Sequence, residues 1–257
     1  MADYGHGDLA FAEVVQRIKC HLPDAEPVLT SVPPFATLAA GFCAAQLALN
    51  QAPAGTLVYQ NVAPREDEQE PREANRGERL AFARLPTGVR VIGVNAGHAF
   101  SFLRDAAEEL RWAAAPAEGS QFRSRDIFPQ AAAAIALGQA GALGERLGRR
   151  EIPAVPRARI AYVDGYGNVK TTIRADLATA APGARLRLRV GRVEREAIAA
   201  GASFAVAPGQ LAFAPGSSGW SDRGRETRWM ELFLRGGSAW EELGRPPVGA
   251  QLRLAAA

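Results

Sequence analysis

Cysteine and histidine are scarce in this sequence. Its 257 residues include two cysteines, Cys20 and Cys43, and three histidines. Both cysteines fall in stretches with helical patterns, and their spacing is that of neither a disulfide framework nor a zinc site. His6, His21 and His98 are scattered, and no spacing joins them to a serine nucleophile or to a metal. We therefore expect no metal site and a chain suited to the reducing cytoplasm.

Long apolar runs are absent as well. The longest, residues 35–49, is too short and too rich in alanine to cross a bilayer. The chain opens with Asp3, His6 and Asp8, without a basic stretch and an apolar run, so no signal peptide is expected. With 47% apolar and 22% charged residues, the composition is that of a globular protein. We expect a cytoplasmic protein without a membrane partner.

The excess of positive charge is small, because the formal net charge is only +3. A nucleic-acid binder concentrates its charge on one face, whereas these arginines are scattered among acidic residues. Even the arginine-rich region 185–195 is interrupted by Glu194, and Glu196 follows it. The sequence also has no P-loop and no Gly-x-Gly-x-x-Gly between a strand and a helix. It therefore indicates no nucleic-acid partner.

Helical and strand patterns alternate in the first half of the chain. Apolar periodicity and alanine content predict helices, and runs of valine, leucine and phenylalanine predict strands. The predicted helices are 9–21, 34–50, 98–112 and 127–147, and the predicted strands are 56–62, 79–84 and 89–94. This alternation predicts an α/β N-terminal domain with a central sheet flanked by helices.

The second half of the chain has a different pattern. Residues 148–156 are rich in arginine, proline and glycine and are interpreted as a linker, which predicts domains over residues 1–149 and 150–257. Short strands separated by glycine and proline follow, with one small helix near residues 238–243. Residues 185–190 alternate arginine with leucine or valine, the period of a half-buried strand. We expect a smaller all-β, barrel-like C-terminal domain.

Two polar segments in the first half contain residues suited to a ligand. Asp3-Tyr4-Gly5-His6-Gly7-Asp8 precedes the first predicted helix, and a carboxylate at such a turn suits the two hydroxyls of a ribose. The alternative is a capped turn, since Asp8 can cap that helix. In Phe122-Arg123-Ser124-Arg125-Asp126, two arginines around a hydroxyl can bind an anion. Alternatively, Arg125 and Asp126 pair with each other or cap the next helix.

Two glycine-rich segments in the second half can likewise be interpreted either as ligand-binding segments or as turns. Asp164-Gly165-Tyr166-Gly167-Asn168 favours a turn, and it also forms a polar cluster with an aromatic wall, suited to adenine or to the charged groups of an amino acid. Gly216-Ser217-Ser218-Gly219-Trp220 can present N–H groups and hydroxyls to a ligand. For both segments a plain turn is the alternative interpretation.

Taken in order, these segments form a pattern that spans nearly the whole chain. In the first half it consists of Asp3-Tyr4-Gly5-x-x-Asp8, Ser31-Val32-Pro33-Pro34-Phe35, Val62-Ala63-Pro64, Asn95-Ala96-Gly97 and Phe122-Arg123-Ser124-Arg125-Asp126-Ile127-Phe128. In the second half it continues with Asp164-x-Tyr166-Gly167-Asn168-x-x-Thr171-Thr172-Ile173, Gly183-Ala184-Arg185-Leu186-Arg187-Leu188, Ser217-Ser218-Gly219-Trp220, Met230-Glu231-Leu232 and Gly237-Ser238-Ala239. By this pattern the chain resembles, as a divergent member, the S-adenosylmethionine (SAM)-binding superfamily of the SAM hydroxide adenosyltransferases, fluorinases and chlorinases.

The resemblance implies an α/β domain followed by a smaller β-barrel domain, in a homotrimer that binds SAM between the N-terminal domain of one subunit and the C-terminal domain of the next. SAM would be the substrate or ligand, and no separate cofactor is implied. The resemblance places Asp3 at the ribose hydroxyls, Phe35, Phe122 and Tyr166 against the sugar and adenine, and Ser124 near the reacting carbon. It places Asp164, Asn168 and Ser217 at the methionine end and the backbone of Arg235 at adenine, with Asp8, Ser218 and Trp220 in the same segments.

The catalytic positions of the family are altered in this chain. The family reaction is displacement of methionine from the ribose C5′ of SAM, and in the hydroxide transferases an Asp, an Arg and a His prepare the water. Ala63 stands at the position of that Asp and Arg123 at the position of that His. Residues 64–77 carry five acidic residues and are interpreted as an expanded, exposed loop. Glu66 or Asp67 is therefore the candidate for the missing carboxylate, and Arg123 for stabilising or orienting hydroxide.

Two further departures concern the arginine and the first strand. Arg72, Arg76 and Arg79 are all candidates for the family arginine. Only Met1 and Ala2 precede Asp3, where the family has its first strand, so either the start lies further upstream or the sheet lacks that strand.

Three hypotheses of function follow. The first is a SAM hydrolase that releases adenosine and methionine. The second is a SAM- or nucleoside-binding protein without the chemistry, motivated by the loss of the Asp and the His. The third is an enzyme for another adenosyl compound or nucleophile, because the charge of Arg123 repels a sulfonium and attracts an anion. Halide chemistry is not indicated, since Ala63 and Arg123 do not match the residues of the halogenases.

Overall fold

Two sheets form the framework of the chain, one in each of two units, Met1–Ala154 and Val155–Ala257. The structure is a computed structural model that describes residues 1–63, 77–116, 118–222 and 224–256. The division between the units falls inside the stretch 148–156 that the sequence indicates as a linker. Glu66 and Asp67, and most of the acidic segment around them, lie outside the described residues.

A five-stranded mixed sheet lies at the centre of the first unit. Its strands are β1 (Leu57–Gln60), β2 (Leu80–Arg84), β3 (Arg90–Val94), β4 (Glu109–Ala113) and β5 (Leu143–Arg146), in the order β1-β3-β2-β4-β5. β1 and β3 are parallel, and the other neighbours are antiparallel. β2 and β3 are apolar and buried along almost their whole length, as expected for strands covered on both faces.

Helices pack against this sheet. The helices of the unit are α1 (Leu9–His21), α2 (Thr37–Ala48), α3 (Arg123–Asp126) and α4 (Phe128–Ala136). Helix α4 shares a hydrophobic core with Phe82 and Ile92 of the sheet, and α2 packs against β1 and β3. Asp8 caps α1, because its carboxylate accepts a hydrogen bond from the backbone N–H of Ala10 at 2.8 Å. The predicted helix 9–21 is confirmed at both ends.

One predicted helix of this unit is wrong, and another is wrong in part. Residues 98–112 form turns and then β4, whose Leu110 pairs with Ala83 of β2. The hydrogen bonds of this ladder outweigh the local helical pattern. The predicted helix 127–147 ends at Ala136, because Gly138 and Gly141 have φ of 66° and 79° and turn the chain before β5.

Two isolated parallel β-bridges beside β1 position the first residues of the chain. Ala2 bridges Asn61 on one side and Ser31 on the other, and Val32 donates a backbone hydrogen bond to Ala2 at 3.0 Å. Ala2 therefore stands where the resemblance implies a first strand. The residues that follow it, Asp3 and Tyr4, lie beyond the carboxyl end of β1, the edge where α/β sheets commonly bind ligands.

A seven-stranded mixed sheet forms the second unit. Its strands are β6 (Ile160–Val163), β7 (Val169–Arg174), β8 (Arg185–Val190), β9 (Val193–Ala199), β10 (Leu211–Asp222), β11 (Arg225–Leu234) and β12 (Leu252–Ala256), in the order β12-β8-β9-β10-β11-β7-β6. The sheet curls into a half-barrel, because Leu252 N–H donates to the carbonyl of Ala158 at 2.8 Å, and Ile160 N–H to that of Ala250 at 3.0 Å. The predicted helix near 238–243 is confirmed as α5 (Ala239–Glu242).

The predicted alternation of residues 185–190 is also confirmed. The arginines of β8 are exposed, and the leucines and the valine between them are buried in the core of the half-barrel. At the coarse level the two units have the predicted character, one α/β and the other built around a curled sheet. Within the described ranges, no helix has the length and apolar character that a membrane crossing requires.

Candidate functional site

The turn that carries Asp3 meets the loop that carries Phe35. The Oδ2 atom of Asp3 accepts a hydrogen bond from the backbone N–H of Phe35 at 2.9 Å. Phe35 has a φ of 61°, a left-handed conformation that is unfavourable for a phenylalanine and that occurs most often at functional sites. Its side chain is nevertheless 49% exposed. An exposed ring on a strained backbone, beside a carboxylate, is suited to packing on a ligand whose hydroxyls donate hydrogen bonds to that carboxylate.

Ser124 is held by two tyrosines in the same unit. Its Oγ atom lies 2.6 Å from the phenol oxygen of Tyr4, and its carbonyl accepts a hydrogen bond from the Tyr59 hydroxyl at 2.7 Å. Asn61 Nδ2 donates to the Tyr4 oxygen at 3.3 Å. Burial raises the pKa of Tyr59 well above its ordinary value and also raises that of Tyr4. Both phenols therefore carry their protons at neutral pH.

The segment 122–126 adds an aromatic ring and an ion-pair network. The ring of Phe122 lies edge-on to that of Tyr4, with centroids 5.9 Å apart, and the guanidinium of Arg125 lies 4.8 Å above Phe122. Arg125 also binds Asp126 at 2.7 Å and Glu13 at 2.9 Å. Hydrogen bonds from Arg125 lower the pKa of Asp126 to about 2. Of the two interpretations of this segment, pairing is therefore the one observed for Arg125 and Asp126.

Arg123 is directed at backbone carbonyls. Its two terminal nitrogens donate to the carbonyls of Glu78 and Pro116, each at 3.0 Å, and its guanidinium lies 4.6 Å from the ring of Phe128. Its Nε atom is buried and has no hydrogen-bond partner among the described residues. Desolvation lowers the pKa of Arg123. Ala63 packs against the apolar core, so that position supplies no carboxylate.

In the second unit, Asp164 organises the turn between β6 and β7. Its Oδ1 atom accepts hydrogen bonds from the backbone N–H groups of Tyr166 and Asn168, both at 3.0 Å, and its Oδ2 atom accepts one from the Asn168 side chain at 2.9 Å. Burial acts to raise the pKa of Asp164, but the hydrogen bonds from Asn168 and the charge of Lys170 outweigh it and lower that pKa. The turn leaves the ring of Tyr166 85% exposed.

A bulge in the β10–β11 ladder positions the two serines. The register shifts between Pro215 and Gly219, which leaves Ser217 exposed and Ser218 buried. The backbone N–H of Ser218 donates to Glu231 Oε1 at 3.2 Å. A Cβ atom on Gly216 would lie 1.9 Å from the same carboxylate, so the carboxylate of Glu231 fills the space that a side chain at 216 would need.

A buried lysine connects the turn with the bulge. Lys170 Nζ lies 2.6 Å from Glu231 Oε2 and 3.2 Å from Asp164 Oδ2, and the side chains of Lys170 and Glu231 are 8% and 5% exposed. Charges this deeply buried are stable only when paired and hydrogen-bonded. Lys170 thus joins two segments that lie about 50 residues apart in the sequence, and together Asp164, Lys170, Glu231 and Ser218 form what we call the lysine network.

Sequence reasoning did not identify Lys170, and it included Glu231 only as part of a pattern. The one available signal was a charged residue next to apolar residues in each of two strands, Lys170 after Val169 in β7 and Glu231 between Met230 and Leu232 in β11. Pairing of the two could not be read from either strand alone.

Other predicted site residues lie outside these clusters. Trp220 is buried and its ring packs 5.5 Å from that of Trp229. The backbone of Arg235 is already used, because its N–H donates to Gln210 at 3.1 Å and its carbonyl accepts from Gly209 at 2.8 Å. In the first unit, Asp8 is the cap of α1. No group of three or more histidine, cysteine, aspartate or glutamate side chains within the described ranges could hold a metal ion.

Residues 158–248 match the family model of the SAM hydroxide adenosyltransferase C-terminal domain. Over this domain, the chain is similar to the SAM hydroxide adenosyltransferases. The resemblance drawn from the sequence is thereby confirmed, and the matched residues include the whole lysine network. A search of curated proteins finds no match.

Two solved structures are similar to the chain over its length. One is an uncharacterized conserved protein from Thermotoga maritima, with a TM-score of 0.76 and 22% identity over 99% of this chain and 100% of that one. The other is a conserved hypothetical protein from Thermus thermophilus, with a TM-score of 0.66 and 23% identity over 99% of this chain and 97% of that one. These similarities concern the fold.

Proposed function

We propose that the protein binds SAM and cleaves it at the ribose C5′ with water, releasing adenosine and methionine. The observation that carries this proposal is the contact between Asp3 and the strained, exposed Phe35. Asp3 Oδ2 is used by the Phe35 backbone, while Oδ1 makes no hydrogen bond among the described residues. That oxygen is the proposed acceptor for the ribose hydroxyls, with Phe35 and Phe122 packing on the sugar and adenine.

The methionine end of SAM is assigned to the second unit. The lowered pKa of Asp164 keeps its carboxylate ionised at neutral pH, which favours the ammonium group of SAM. The exposed hydroxyl of Ser217 and the amide of Asn168 complete this proposed subsite, and the exposed ring of Tyr166 is available to stack on adenine. In the proposed homotrimer, these residues and those around Asp3 come from neighbouring subunits.

The proposed reaction is a single displacement. The water oxygen forms a bond to C5′ as the bond from C5′ to sulfur breaks, and the electron pair of the broken bond remains on sulfur. The sulfonium thereby becomes the neutral thioether of methionine, and the water releases one proton. A carboxylate that takes this proton assists the attack, and Glu66 and Asp67 remain the proposed candidates.

A second candidate function is SAM binding without cleavage, and the contacts of Arg123 favour it. Both terminal nitrogens of this arginine are bonded to backbone carbonyls, and Ala63 offers no acid or base. The same contacts argue against the third hypothesis, an anionic ligand attracted by Arg123, because both terminal nitrogens already have partners and the remaining donor, Nε, is buried.

Incubation of the purified protein with SAM, followed by chromatography with mass detection, tests the proposal. We expect adenosine and methionine in equal amounts, unchanged by added halide, and a large loss of turnover in the double variant Glu66→Gln, Asp67→Asn. Full activity of that variant would remove these two residues from the mechanism. SAM binding by calorimetry without any product would establish the second candidate.

The proposed trimer is tested separately by light scattering. The expected mass is that of three 27.3 kDa chains. A monomeric mass with full SAM turnover would contradict a site shared between subunits.

A further inference from the structure

We propose that Tyr4, fixed by Asn61, is a positioning residue that sets the Ser124 hydroxyl as a hydrogen-bond donor toward the attacking oxygen. This inference rests on the proposed function. It gives this chain a group that binds the attacking oxygen, at a site where Ala63 and Arg123 replace the catalytic Asp and His of the family.

The direction of the hydrogen bonds follows from counting donors. The Nδ2 atom of Asn61 can only donate, so the Tyr4 oxygen is the acceptor in their 3.3 Å contact. A phenol has one proton, and among the described residues Ser124 Oγ, at 2.6 Å, is the partner available to receive it. The opposite direction would leave the proton of a half-buried phenol without an acceptor among the described residues, which is unfavourable.

The same count determines what Ser124 can do. Once its Oγ accepts the proton of Tyr4, its own proton is free for another acceptor. The backbone of Ser124 is held in place, because the hydroxyl of Tyr59 donates to its carbonyl at 2.7 Å and the residue lies in α3. A fixed donor of this kind stabilises the negative charge that the water oxygen acquires when it gives up its proton to become the nucleophile.

Substitution Tyr4→Phe isolates the hydroxyl. The ring keeps its edge contacts with Phe11 at 5.1 Å and Phe122 at 5.9 Å, so the fold is retained. We expect kcat for SAM cleavage to fall by roughly tenfold to a hundredfold, with KM changed by less than about threefold, because the lost interaction acts in the transition state. The matched control is Tyr162→Phe in β6, which removes a phenol hydroxyl in the second unit and should leave kcat unchanged.

A double-mutant cycle separates positioning from a general structural effect. If Tyr4 acts through Ser124, then Tyr4→Phe has no further effect on kcat in a Ser124→Ala background. Losses of kcat that multiply in the double variant, or a Tyr4→Phe enzyme with the wild-type kcat, would overturn the inference. Thermal unfolding of each variant shows whether a loss of kcat follows a loss of stability, which would also overturn it.

The wild-type activity distinguishes the failure of this inference from that of the proposed function. If wild-type protein binds SAM without cleaving it, the proposed reaction is refuted, and this inference, which concerns the attacking oxygen, fails with it. If wild-type protein cleaves SAM and the Tyr4→Phe variant keeps the wild-type kcat, the inference alone is refuted. If the wild type binds neither SAM nor adenosine, both proposals fail.

Discussion

Removing the ammonium of Lys170 should destabilise the second unit far more than removing a comparable surface charge. Lys170 neutralises two carboxylates, those of Glu231 and Asp164, in a setting where both members of the closer pair are less than a tenth exposed. Loss of one partner of a buried pair leaves an uncompensated charge and costs about 3–5 kcal/mol. For a chain of this length, each 1 kcal/mol lowers Tm by roughly 2–4 °C. We therefore expect Lys170→Met to lower Tm by roughly 6–20 °C.

The structure provides a matched control in the first unit. Arg84 also serves two carboxylates, Glu108 at 2.6 Å and Glu109 at 3.4 Å, and its shorter contact equals that between Lys170 and Glu231. The difference is exposure, since the side chains of Arg84 and Glu108 are 46% and 42% exposed. Exposed pairs contribute about 0–1 kcal/mol each, so Arg84→Met should lower Tm by only a few degrees.

The two proteins, wild type and Lys170→Met, should differ in the direction in which their stability changes with pH. In the Lys170→Met variant, Asp164 and Glu231 have lost their shared cation, so protonation of one of these carboxylates removes an uncompensated buried charge from the folded state. The folded variant then binds more protons than the unfolded chain, so its stability rises as pH falls from 7 to 5. In the wild type the pKa of Asp164 is lowered, so stability is lost only at pH values below the ordinary range of a carboxyl group.

Thermal unfolding of wild type, Lys170→Met and Arg84→Met at pH 7 and pH 5 therefore measures both effects. We expect the Tm deficit of Lys170→Met to be large at pH 7 and smaller at pH 5. Equal deficits for the two variants at pH 7, or a deficit of Lys170→Met that grows on acidification, would refute this account of the lysine network.

Three further predictions concern the first unit. Phe35→Gly should raise the free energy of unfolding by about 1 kcal/mol, because glycine relieves the strain of the left-handed backbone, and it should weaken SAM binding in calorimetry. A variant less stable than the wild type would show that the conformation is unstrained. Burial raises the pKa of Cys43 to about 12, so iodoacetamide at pH 8 should label the exposed Cys20 and spare Cys43, as mass spectrometry of peptides would show. Since hydrogen bonds from Arg125 lower the pKa of Asp126 to about 2, the stability that Asp126 contributes should persist at neutral pH and disappear as pH falls from about 4 toward 2. A difference in Tm between wild type and Asp126→Asn that stays constant over that range would contradict the assignment.

Local signals predicted the elements whose stability is local. Helix 9–21 has a capping aspartate at its start and an amphipathic pattern, and the structure gives it the predicted ends. The strand 185–190 was equally clear, because arginine and apolar residues alternate along it. The predicted helix 34–50 is shortened to α2, since two prolines and the left-handed Phe35 keep the first residues out of the helix.

Elements that depend on distant partners were predicted poorly. Strand β4 follows residues with a helical pattern, and only its pairing with β2 fixes it as a strand. Strand β5 lies at the edge of the sheet and is largely exposed, so it lacks the apolar run that marks a buried strand.

In the candidate site, too, local patterns were predicted and distant pairings were not. The order of the motifs predicted the segments that carry Asp3, Ser124 and Asp164. The lysine network could not be foreseen, because Lys170 and Glu231 are 61 residues apart and nothing in either strand indicates the other as its partner.

The hydrogen bond from the N–H of Leu252 to the carbonyl of Ala158 has a consequence for how the second unit can be inserted into another protein. It brings the beginning and the end of the half-barrel side by side, so a loop of a host protein could accept the whole segment without its own ends being pulled apart. A segment of this kind tolerates transplantation and circular permutation, because joining its original ends needs only a short connection. The family match to residues 158–248 covers nearly the same segment, as expected of a module that is inherited as a block.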